Sequence, residues 1–395
     1  MQIDGPRACH ESELPEVMAL ANSIFRPDTE QTLETDYPWV FCPDQLKYLR
    51  IIRAEDQIVC HVPVVPREIV AEKDHFIIGI ISPTGTHPDH RNRSYGTLCL
   101  QDCIRIMEKN IWPLSVLWTI EPTFPFYQNI GWEAVSSQGW VYQLVGHEWN
   151  KFEPHTFEII PLEPKNPEHL NAVMHLHDAE PFRIKRSPTM YQQMFSLPMI
   201  NTLMATQSKQ VFGYLMFGQG TNKPGLIEAG GSTNAVEALV RQALARLRPD
   251  EQVQAPVPLT PTVLQQLLEQ KKPGTRLPIE QASAIGHQMV RINSLQALLR
   301  SIPHHLCHRS VGICGDLTLH CTDTDESVTL CFNDGAVTFS DKEVADRVCM
   351  NQSQLTKLIF GPHPQHTPTH IEGKIGEILR QVFPFYFPIW ELDHS

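Results

Sequence analysis

His87-Pro88-Asp89-His90-Arg91-Asn92-Arg93-Ser94-Tyr95-Gly96 follows an apolar run at residues 76–81. It opens a pattern in which Tyr95, Leu98, Cys99, Cys103, Ile106 and Met107 share one helix face. The stretch is therefore a strand–loop–helix junction whose loop carries Arg-x-x-Ser-x-Gly. Small residues at 94 and 96 let a backbone approach a ligand closely. The first N–H groups of a helix have no internal partners and suit an anion. Arg91 and Arg93 add charges matched to phosphate. The junction reads as a pyrophosphate cradle.

Upstream, Leu14, Val17, Met18, Ala21 and Ile24 predict a helix within residues 12–35, followed by strands at 49–53, 58–65 and 76–81. Downstream come a strand at 115–119 and an aromatic segment, Phe124-Pro125-Phe126-Tyr127-Gln128-Asn129-Ile130-Gly131-Trp132. A second block holds a hairpin at 202–206 and 211–217, then a strand, small loop and helix at 226–247. Asn234 and Glu237 have capping-box spacing at that helix. The unit echoes the first junction as a degenerate repeat, but it lacks the arginines and is not expected to hold a coenzyme. A short helix is expected at 262–270. In the third block Leu317, Leu319 and Cys321 alternate with polar residues, as do Val328, Leu330 and Phe332. Asn351 and Gln354 have the spacing to cap a helix that Gly361 and Pro362 terminate. The aromatic tail around Phe385, Tyr386 and Phe387 is expected to be buried.

The chain has 395 residues, enough for two or three domains. Its net charge of −12 excludes a general nucleic-acid binder, which needs a basic face. Ten cysteines without a C-x-x-C pair read as reduced core residues; Cys99 and Cys103 are core rather than nucleophile. No signal peptide and no membrane span are expected, since no apolar run approaches ~20 residues, so the cytoplasm is the expected compartment. Two histidine groups, His304, His305, Cys307 and His308, and His363, His366 and His370, lack an established zinc spacing, so no metal is expected.

With these residues in place, the first block resembles the GNAT acetyltransferase superfamily, in which a splayed strand binds the pantetheine arm of acetyl-CoA and the following loop wraps the pyrophosphate. The resemblance implies that Thr84, Gly85 and Thr86 form the splayed end. It makes Arg91, Asn92, Arg93, Ser94, Tyr95, Gly96 and Thr97 the cradle. Ser94 departs from the usual glycine, a change costing about 1 kcal/mol if the position needs positive φ. The whole chain resembles the Eis-like (enhanced intracellular survival) N-acetyltransferases. That implies an α+β chain of two tandem GNAT-like domains, the second degenerate, and a sterol carrier protein-like α/β domain, at 1–150, 151–285 and 286–395. It implies acetyl transfer from acetyl-CoA to a primary amine of a polar small-molecule or peptide acceptor, aminoglycoside-like or a lysine side chain, by a homo-oligomer. Tyr127 would protonate the thiolate, and the terminal carboxylate of Ser395 would be the base, with Asp393 and His394 as local substitutes. The alternative is a non-catalytic GNAT scaffold that binds CoA or lipid.

Overall fold

Strand Gln57–Ala71 is fifteen residues long and pairs along both edges, with Leu49–Ala54 on one side and Asp74–Ile81 on the other. Its alternating side chains serve two cores. Cys60, Val62 and Val64 face helix Tyr95–Lys109, while Val65 and Ile69 join the cluster of helix Leu14–Phe25. The computed structural model describes residues 3–136, 139–219, 224–282, 286–363, 371–389 and 393. Among these the strands form three sheets.

The first sheet runs Ile3–Ala8, Leu49–Ala54, Gln57–Ala71, Asp74–Ile81, Leu114–Thr119, His287–Ile292, Glu133–Ala134. The second runs Thr275–Pro278, Gly139–Val145, Gln252–Pro258, Pro224–Gly231, Gln210–Gln219, Ile200–Gln207, Glu158–Pro161. The third, Ala336–Ser340, Glu326–Asn333, Cys314–Cys321, Arg347–Met350, lies in the last block.

Three strands cross between the blocks read from the sequence. Gly139–Val145 leaves the first block and pairs with Gln252–Pro258 in the second sheet. His287–Ile292 enters the first sheet between Leu114–Thr119 and Glu133–Ala134. Phe182–Lys185 pairs with the end of Gln57–Ala71. One apolar cluster accordingly contains Val17, Tyr191 and Phe385 together. Of the aromatic tail, Phe385 and Phe387 are buried as expected, 6.0 and 6.1 Å from Phe76 by ring centroid, Tyr386 is part-exposed, and Trp390 lies outside the described residues.

The first helix spans Leu14–Phe25 as its periodicity predicts, and a separate turn of helix, Leu33–Asp36, follows. One local expectation needs correction. Helix Thr233–Ala245 starts two residues earlier than the Asn234–Glu237 pattern requires, with Ser232 at its N-cap. Glu237 is drawn to other donors, accepting from the Glu153 N–H at 2.7 Å and pairing with His155 and Lys271. The Asn351–Gln354 box does form, each side chain taking the other's backbone N–H.

Candidate active site

Strands Asp74–Ile81 and Leu114–Thr119 run parallel and are in register only at Ile78–Leu114, Gly79–Ser115 and Ile80–Val116. Beyond that they part. Pro83 has no N–H to give a ladder, and after it Gly85 and Thr86 pair with His61 and Cys60 of Gln57–Ala71 instead. Leu117, Trp118 and Thr119 stay with Met289, Gln288 and His287 on their far side. Two strand edges are thus left facing each other across a wedge. Helix Tyr95–Lys109 packs against this sheet so closely that a Cβ on Gly79 would sit 2.3 Å from Met107 Sδ.

The loop into that helix takes left-handed backbone at Asn92 (φ 61°) and Ser94 (φ 62°). Ser94 is the N-cap but its side chain accepts no capping bond, and the first helical bond is Leu98 N–H to Ser94 O at 3.0 Å. The N–H groups of Tyr95, Gly96 and Thr97 therefore precede the helical ladder. Arg91 Nε donates to Thr86 O at 3.3 Å, folding the exposed loop back over the splayed end. Arg93 Nη2 donates to Asp89 O at 3.4 Å. At Gly96 a Cβ would lie 3.3 Å from Phe126 Cζ and 3.6 Å from Thr86 Oγ1, so loop, splayed end and aromatic segment converge there.

Tyr127 belongs to the short helix Phe124–Gln128. Its ring meets Phe126 edge-on at 4.9 Å and Trp132 at 6.4 Å. It is half-buried beside Thr84. Burial raises its phenol above the ordinary range, with Thr84 working in the opposite direction. The structure brings Thr84, Thr86, Gly96 and Tyr127 to one place at the mouth of the wedge.

His61 was missed by sequence reasoning, because it sits within an apolar strand pattern. It is fully buried, with neither ring nitrogen hydrogen-bonded among the described residues. Burial pushes its pKa down to about 4, so it is neutral at pH 7. Phe25 and Phe41 meet it edge-on, and a Cβ on Gly85 would lie 2.4 Å from Nε2. A glycine in the splayed end is thus required by a histidine on the neighbouring strand.

Ser395 and His394 lie outside the described residues, as do His366 and His370. Asp393 is not a local substitute for a base. Arg186 donates to both its oxygens, Nε to Oδ1 at 3.0 Å and Nη2 to Oδ2 at 2.6 Å. The same guanidinium donates to Glu228 at 3.0 and 2.6 Å, and Tyr214 O–H donates to Glu228 at 2.6 Å. Burial opposes ionisation of Glu228, but Arg186 prevails and holds its pKa at about 2. Nor do His304 and His305 gather into a metal site. Their backbone N–H groups cap onto Asp74 at 2.8 Å each, and the His305 ring bonds Val382 O at 2.9 Å.

Residues 6–135 match the acetyltransferase (GNAT) domain family. No curated protein sequence matches the chain. Its fold is similar to that of a GCN5-related N-acetyltransferase from Anabaena variabilis, at 15% identity and a TM-score of 0.69 over 91% of this chain and 90% of that one. A probable N-acyltransferase of unknown function from Enterococcus faecalis is similar at 15% identity and 0.70, over 91% and 89%. Eis1 from Mycobacterium abscessus is similar at 12% identity and 0.60, over 91% and 89%. The chain thus carries a GNAT acetyltransferase domain and shares a fold over most of its length with these proteins. No helix of the described residues is long and apolar enough to cross a membrane.

Proposed function

We propose that this protein is an N-acetyltransferase that moves an acetyl group from acetyl-CoA to a primary amine of a polar acceptor, aminoglycoside-like or a lysine side chain. The observation that carries the reading is the wedge beyond Ile80 and Val116 with Tyr127 at its mouth and the Ser94 turn beside it. The N–H groups of Tyr95, Gly96 and Thr97, with Arg91 and Arg93, suit the pyrophosphate. The unpaired strand edges suit the amides of the pantetheine arm. The amine, once neutral, attacks the thioester carbonyl; a backbone N–H of the wedge stabilises the oxyanion. The C–S bond then breaks, and the thiolate takes the Tyr127 proton. A phenol raised by burial keeps that proton through neutral pH. The base that receives the amine proton is the Ser395 carboxylate, as the Eis-like resemblance implies. The last block is proposed as the sterol carrier protein-like domain of that plan.

A second reading, a scaffold that binds CoA without turnover, draws on the Asp393 ion pair, which takes a carboxylate close to the chain end out of play. Tyr127→Phe separates the two. For the enzyme, kcat for CoA release falls about 100-fold with the acetyl-CoA Kd unchanged. A wild-type protein that binds acetyl-CoA but releases no CoA with any of a panel of amines would sink the enzymatic reading.

A further inference from the structure

Glu121, His287 and His363 come from three distant segments and converge beside the wedge. Glu121 follows strand Leu114–Thr119, His287 is the register partner of Thr119, and His363 follows helix Gln352–Phe360. His287 Nδ1 and His363 Nε2 face each other at 2.9 Å, with ring centroids 4.7 Å apart. His287 Nε2 is 3.7 Å from Glu121 Oε1. One ligand atom from each residue can be chosen so that all lie within 4.8 Å of one another. His363 is buried, and Phe124 meets both imidazoles edge-on, at 5.5 and 5.8 Å.

We propose that these three residues bind one zinc ion, through His363 Nε2, His287 Nδ1 and the Glu121 carboxylate, with water in the fourth position. Zinc–nitrogen bonds of about 2.0–2.1 Å at a tetrahedral angle hold two ligand nitrogens about 3.3 Å apart. The imidazoles need to separate by only a few tenths of an ångström. Without a metal, His287 would link His363 and Glu121 through its two ring nitrogens; zinc instead draws the carboxylate to the ion, and metal retention separates the two. Two imidazoles and a carboxylate without a thiolate suit zinc rather than a soft ion. The half-exposed Glu121 carboxylate is the ligand that swings in, and the buried His363 is the anchor. The ion would staple the last block and the inserted strand His287–Ile292 to the turn that leads into Tyr127.

The test uses the full chain, stripped with EDTA, equilibrated with zinc chloride and freed of excess by gel filtration. One zinc per chain by elemental analysis and a rise in Tm of about 5 °C are expected. His287→Gln and His363→Gln are expected to lose both. Cobalt(II) gives a second readout on the unmutated protein: visible bands of a tetrahedral nitrogen–oxygen site with no thiolate charge-transfer band. Failure to retain zinc, equal retention by both variants, or a thiolate band placing the ion on cysteines would overturn the proposal. None of these readouts depends on acetyl transfer.

Discussion

At position 94 the backbone is left-handed, with φ at 62°. A serine there stores about 1–2 kcal/mol of strain that glycine does not. Part of the gain from replacing it is lost because glycine frees the unfolded chain, by about 0.4–1 kcal/mol. Ser94→Gly is therefore expected to raise stability by roughly 0.5–1 kcal/mol, and Ser94→Val, branched at Cβ, to lower it; urea midpoints decide. A drop for Ser94→Gly would mean that the serine side chain contributes an interaction of its own. The wedge end, by contrast, is shaped by a pair: Gly85 has to be glycine because His61 is where it is. For Tyr127, burial raises the pKa, so the proposed acid is protonated below that value and lost above it. The pH profile of kcat should rise as the acceptor amine deprotonates and fall only on the alkaline side of the ordinary phenol range. Tyr127→Phe should lack that alkaline fall; a fall that persists would assign it to another group.

The element that organises the site is strand His287–Ile292. It bonds Leu114–Thr119 over six register pairs and then Glu133–Ala134, so it completes the sheet that holds one edge of the wedge. Gly139–Val145 makes the reverse trip, pairing with Gln252–Pro258 over seven. A fragment of residues 1–150 lacks one central strand and carries another with no partner. Two bare edges of that kind invite aggregation. The fragment is expected to show no cooperative unfolding transition, while the full chain does. A dispersed amide NMR spectrum from 1–150 alone would sink this expectation. The exchange was not legible locally, because residues 287–292 carry no period-two alternation and are buried throughout most of their length. Pairing partners are chosen by the assembled sheet, not by the strand.

Across the whole molecule the buried Arg186 joins the second sheet, through Glu228 and Tyr214, to Asp393 near the chain end. Arg186→Met leaves two carboxylates buried without their cation, and a loss of about 3–5 kcal/mol is expected by denaturant unfolding. The sign of the pH effect follows from Glu228. Its folded pKa of about 2 lies below the unfolded 4.5, so its stabilisation is complete above pH 4.5 and drains away as pH falls towards 2. The maximum is about 3 kcal/mol. In Arg186→Met that acid-side slope should disappear; an unchanged slope would assign it to other carboxylates.

The cradle, the helix behind it, the Asn351–Gln354 cap and the aromatic segment with Tyr127 were legible because each is written in neighbouring residues: helix periodicity, capping spacing and turn chemistry act over a few positions. The sequence by itself determined that a strand leads through a loop rich in small and basic residues into a helix, and so pointed to a GNAT acetyltransferase domain. It did not determine which strand closes the wedge, which residue demands Gly85, what Asp393 does or where His287 and His363 meet. Those depend on partners as far apart as 207 residues for Arg186 and Asp393 and 76 for His287 and His363. Contacts at such separations leave no periodic trace in the chain. They exist only once loop closure has been offset by the packing of all three sheets, and only the tertiary structure decided them.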